Sequence, residues 1–81
     1  MDDIFDRIKV IFNETMGLQD TAITHDADLS KDLGVDSLDF AELIMEFENE
    51  FDIRIPHEDA EGLQCVKDVE LYIKKSMAEQ Q

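Results

Sequence analysis

At 81 residues the chain is long enough for one small domain with a single core and little stability to spare. Its 7 basic and 21 acidic residues leave a net charge of −14, which disfavours nucleic acid and anionic membrane surfaces as partners and favours basic protein surfaces. The lone Cys65 excludes an internal disulfide, and the opening Met1-Asp2-Asp3-Ile4 lacks the basic segment and apolar run of a secretory signal. With no stretch of membrane-spanning length, the expectation is a cytoplasmic monomer in a reducing compartment.

Residues 2–16 carry Ile4, Ile8, Ile11 and Phe12, then Thr15 or Met16, at helical spacing, with Asp2 and Asp3 at the end that the helix dipole favours. Gly17 is placed to end this first helix in a left-handed conformation. A connection of about 20 residues follows, longer than compact domains usually tolerate, so it must be pinned. Leu18, Ile23, Leu29 and Leu33 are spaced as pegs for the groove between helices, with a short turn at residues 20–23. So long a loop can run back along the bundle and start the next helix at the far end. Asp26, Asp28, Ser30, Asp32 and Asp36 suggest a calcium loop, but the register fails: Lys31 stands where such a loop needs glycine and Ser37 where it needs glutamate. Diffuse attraction of cations is expected and a specific metal site is not.

The run Leu33-Gly34-Val35-Asp36-Ser37-Leu38 hands the loop over to a second helix. Asp36 suits the N-cap, Asp39 adds negative charge to the first turn, and Gly34 allows a tight approach, which leaves the Ser37 hydroxyl outside the helix at its positive end. A phosphate attached there meets free backbone N–H groups. Capping alone also explains Asp-Ser at a helix start; the helix that follows argues for more. At about 100° per residue, Phe40, Leu43, Ile44, Phe47 and Phe51 form a core face, while Leu38, Ala41 and Met45 form an opposite strip among Glu42, Glu48 and Asn49. Carboxylates are costly to bury, so that strip should face solvent as a docking surface, with Glu48 the acidic residue best placed for recognition.

Ile53 and Ile55 then alternate with Asp52 and Arg54 in a short extended piece. Pro56 opens one or two helical turns over residues 57–61, Gly62 stops them and Leu63 turns inward. Val66, Val69, Tyr72, Ile73 and Met77 mark a last helix with Lys67, Lys74 and Lys75 outside, the lysines near its end suiting the dipole, and residues 78–81 fraying. The fold class is therefore all-α: a small four-helix bundle of three main helices and one short one, with a long loop between the first two, spanning residues 1–81 as a single domain.

No catalytic apparatus is visible. Ser37 has no histidine or lysine partner in sequence, His25 and His57 read as isolated surface or turn residues, and Cys65 as a small, partly buried packing residue. What remains is an acidic bundle with one special hydroxyl that something else modifies.

Asp32-Leu33-Gly34-Val35-Asp36-Ser37-Leu38-Asp39, the helix with Ala41-Glu42-Leu43-Ile44-Met45, and Phe51-Asp52-Ile53-Arg54-Ile55-Pro56 closing it resemble the acyl carrier proteins of fatty-acid synthesis, a likeness that covers residues 4–73. The resemblance implies that Ser37 receives 4′-phosphopantetheine covalently from coenzyme A, by way of a phosphopantetheinyl transferase (holo-carrier synthase), and that acyl groups ride as thioesters on the arm. It implies docking through Asp36, Leu38, Asp39, Ala41, Glu42, Met45 and Glu48 to acyl-transfer and fatty-acid-synthesis enzymes with basic patches, and shelter of the acyl chain between the helices. Three positions depart from the pattern: Cys65 where a threonine commonly caps the last helix, Ala41 where valine is frequent, and Leu29 where an aromatic is common. Ala41 thins the docking strip and leaves a specialised polyketide or modification pathway open. A reading of another class is an unmodified helical adaptor that uses the same strip.

Overall fold

The structure, a computed structural model, describes residues 4–79. Four α-helices follow in order: α1 (Ile4–Met16), α2 (Ser37–Phe51), α3 (His57–Ala60) and α4 (Val66–Glu79). A 3-10 turn at Asp20–Ala22 interrupts the long loop, where a short turn was expected. This is the all-α arrangement of three main helices and one short one. Ala78 and Glu79 belong to α4, while Asp2, Asp3, Gln80 and Gln81 lie outside the described residues.

The apolar spacing of each helix becomes a buried face. Ile8, Ile11 and Phe12 of α1 meet Leu43, Phe47 and Phe51 of α2, and Val66, Val69 and Ile73 of α4 complete the core. Phe40 and Ile44 sit at its margin, half-buried. Phe12 and Phe47 pack edge to face with ring centroids 5.9 Å apart, the arrangement that opposes a positive ring edge to a negative face.

The long loop leaves the sense of α2 open, and side-chain contacts settle it. Arg7 Nε donates to Glu50 Oε2 at 2.9 Å and its guanidinium lies over the Phe51 ring, while Phe12 packs on Phe47. The start of α1 thus faces the end of α2, and the two helices run in opposite senses. The loop does run back along the bundle, since His25 stacks on Phe5 in the first turn of α1 at 4.0 Å between centroids. It then returns, so its length serves packing and does not set a parallel start for α2.

Ile23, Leu29 and Leu33 are the buried pegs of that loop, with Leu18 half-buried. At about 1.5–3 kcal/mol for each fully buried side chain, they offset part of the entropy cost of ordering the segment. Backbone bonds complete the attachment. Leu29 N–H donates to Gln64 O (2.9 Å), Val66 N–H to Ala27 O (3.1 Å) and Lys67 N–H to His25 O (2.9 Å). The loop carbonyls therefore satisfy first-turn donors of α4, where Cys65 lacks a hydroxyl to do so. Asp68 reaches back as well, its Oδ2 accepting from the N–H groups of Gln64 and Cys65.

Lys74 and Lys75 stand more than a turn from the end of α4, so the expected pairing with the dipole gives way to another contact. Lys74 Nζ lies 3.2 Å from Glu70 Oε2, and His25 Nε2 lies 3.1 Å from Glu70 Oε1. Glu70 is buried, which its charge makes costly without such partners. His25, isolated in sequence, supplies one of them across the fold.

Candidate functional site

Gly17 and Gly34 adopt φ of 71° and 70°, the left-handed region in which a side chain would be strained. At Gly34 this conformation falls between buried Leu33 and Val35, and Val35 N–H donates to Leu29 O at 2.8 Å. The chain is thereby fixed on both sides of the glycine and delivers residues 36–38 to the surface. Asp36 caps α2 as expected, its Oδ1 accepting from Asp39 N–H at 2.9 Å. Asp39 does more than complement the dipole: its Oδ2 accepts from Asp36 N–H at 3.4 Å, which completes a reciprocal capping box.

Ser37 is the first residue of α2 and is exposed. Among the described residues its hydroxyl has no hydrogen-bond partner, and the N–H groups of Ser37 and Leu38 have no acceptor. An uncommitted hydroxyl thus stands beside two uncommitted donors at the positive end of a 15-residue helix.

The strip beyond it is present. Leu38 is 81% and Met45 57% exposed, Ala41 is exposed between them, and Glu42 flanks them in solvent. No basic residue occurs in α2, so every charged side chain on it is acidic. Glu48 departs from a purely solvent-facing role. It is half-buried, and its Oε2 accepts from Ile55 N–H at 2.8 Å, which ties the end of α2 to the extended segment that leads into α3.

Ser37 borders two grooves. One, about 390 Å³, lies between α2 and α3 and is walled by Phe40, Ala41, Ile44, Ile55 and Ala60. The other, about 680 Å³, lies between the loop and α3 and includes Leu29, Lys31, Phe40 and Leu63. His57, exposed at the first position of α3, pairs with Glu61 at 2.9 Å on the rim of the first. The loop carboxylates build turns. Asp28 Oδ1 accepts from the N–H groups of Ser30 and Lys31, and Asp32 Oδ2 from Asp28 N–H at 2.7 Å. The Lys31 N–H bond holds the Asp28 carboxyl below the usual carboxylate range against an opposing effect of burial, with Ser30 N–H and the Lys31 charge adding to it. Among the described residues, no group of three or more His, Cys, Asp or Glu side chains is placed to hold a metal ion.

A family profile described as a phosphopantetheine attachment site matches residues 6–73. The chain is 38% identical over 76 residues to an acyl carrier protein of Thermotoga maritima, which covers 94% of each. It is 46% identical over 72 residues to one of Akkermansia muciniphila, which covers 89% of this chain and 90% of the relative.

The chain belongs to the phosphopantetheine-bearing acyl carrier family.

An acyl carrier is not a catalyst, and its acyl groups ride on phosphopantetheine. This carrier's residues fit that group: the exposed hydroxyl of Ser37 is uncommitted, and the free N–H groups beside it suit a phosphate ester. No helix among the described residues is long and apolar enough to cross a membrane. The sequence missed Lys31 as part of the carrier's groove. A signal was available, because Lys31 is the only Lys or Arg between Lys9 and Arg54.

Proposed function

We propose that Ser37 carries the 4′-phosphopantetheine arm, esterified through its hydroxyl by a phosphopantetheinyl transferase that draws the group from coenzyme A. Residues 1–81 then act as one carrier domain that presents acyl thioesters to enzymes of fatty-acid synthesis. The observation that carries this reading is the exposed, unpartnered Ser37 hydroxyl at the capped mouth of α2.

The roles of the surrounding residues follow from their chemistry. The Asp36–Asp39 capping box fixes the first turn, so the ester sits at a constant place while the arm moves. Leu38, Ala41 and Met45 enter apolar dimples on partner enzymes, and Asp36, Asp39, Glu42 and the free edge of Glu48 meet their basic rims. Exposed ion pairs worth about 0.2–1 kcal/mol each speed encounter without prolonging residence, as a carrier that must leave requires. The tether keeps the acyl group at high effective concentration near whichever enzyme is docked. The apolar groove between α2 and α3, which opens at Ser37, supports shelter of the chain there, each methylene contributing about 0.8 kcal/mol when removed from water. The acidic composition and the free thiol of Cys65 favour a cytoplasmic location.

Incubation with coenzyme A and a phosphopantetheinyl transferase, followed by intact-mass measurement, tests the proposal. The wild-type protein should gain one arm and Ser37→Ala none. An unlabelled wild-type protein would leave the adaptor reading in its place.

A further inference from the structure

We infer that Lys31 is a positioning residue for the phosphodiester, its ammonium holding the arm's phosphate over the groove between the long loop and α3. The inference rests on attachment at Ser37. It begins from the groove of about 680 Å³ that both residues line.

Charge in that groove is almost wholly committed. Asp28 accepts from two backbone N–H groups and Asp36 from Asp39 N–H, while Glu61 lies 2.9 Å from His57 Nε2. Each carboxylate facing the space already has a polar neighbour. Lys31 makes no close ion pair among the described residues, its charge acting only on the Asp28 carboxyl; Arg54, Lys67 and Lys75 also lack a close ion pair but line neither groove. Lys31 is the only Lys or Arg in either groove that Ser37 borders.

The position of Lys31 is prepared as well. Its backbone N–H donates to Asp28 Oδ1 at 2.8 Å, and the Val35–Leu29 bond closes the loop between Lys31 and Ser37, so the stem starts from a fixed place while the side chain remains exposed. An anion added to a chain of net charge −14 is repelled by the surface as a whole. The Lys31 ammonium, on the groove that Ser37 also lines, relieves that repulsion locally, and lysine binds phosphate as a point charge without demanding a fixed orientation. The same ammonium could attract a carboxylate at the far end of a loaded acyl group. The phosphodiester is favoured because it is bonded to Ser37 directly, whereas the cargo is held an arm's length away.

The test follows the lysine side-chain methylene NMR signals of the full chain in three forms: unmodified, bearing the arm alone, and bearing the arm loaded with a carboxylate-terminated acyl group. With the arm alone, the Lys31 signal should move more than those of Lys67, Lys74 and Lys75. The movement should shrink as salt is raised toward 1 M, where the Debye length is about 3 Å. In arm-bearing Lys31→Gln, the phosphorus resonance should shift from its wild-type position. A Lys31 signal unchanged by the arm overturns the inference, as does one that moves only when the terminal carboxylate is present. These outcomes leave attachment at Ser37 intact. Failure of the mass to rise on incubation with the transferase removes both.

Discussion

Asp36 and Asp39 hold each other's backbone, and the docking role proposed for their charge can be separated from that by measurement. Asp36→Ala removes the cap from Asp39 N–H and should cost about 1 kcal/mol. In a domain of this size that is a drop of about 4–8 °C in the thermal midpoint, followed by circular dichroism. An unchanged midpoint would mean that the box contributes nothing to α2. Asp28 makes the complementary case for acid sensitivity. Its carboxyl is held below the usual range, so the unfolded chain takes up its proton first as pH falls. The stabilisation it gives is complete above its unfolded value, about pH 4, and is lost as pH falls through the lower folded value. Asp28→Asn keeps an acceptor for Ser30 and Lys31 N–H but cannot titrate. Urea midpoints should therefore decline less steeply below about pH 4 in the variant than in the wild type.

At the scale of elements, Glu48 joins the end of α2 to the segment that leads into α3. Glu48→Ala leaves Ile55 N–H without its acceptor and should destabilise the fold by about 1–3 kcal/mol, while Glu48→Gln retains an acceptor and most of the stability. Equal melting of the two variants would assign Glu48 to docking alone. This bond also marks where the sequence ceases to be legible. The three main helices could be read from apolar spacing, and the stop at Gly17 and the short helix between Pro56 and Gly62 from backbone chemistry, because those signals are local. The exposure of Leu38, Ala41 and Met45 opposite the Phe47 face followed from the same periodicity. The contacts that escaped join residues distant in sequence: His25 to buried Glu70, the loop carbonyls to the first turn of α4, and Arg7 to Glu50. The last decides the opposed sense of α1 and α2, which loop length does not encode. No spacing rule marks Glu70 for burial; its neighbours do so only once folded.

For the whole molecule, the charge of −14 places repulsive carboxylates over a small surface and makes stability depend on ionic strength. The thermal midpoint should rise as salt is added, and a flat series would show that the ion pairs at Glu50 and Glu70 already balance the repulsion. The same acidity should give rapid, salt-sensitive encounter with the basic partners proposed for it, the kinetic behaviour that a travelling carrier needs. The most direct test of the central claim is fragment-ion mass spectrometry on protein loaded by a transferase with coenzyme A. The account predicts the phosphopantetheine increment on Ser37, with Ser30, Ser76 and Cys65 unmodified. An increment on any of those three, with Ser37 bare, would contradict it.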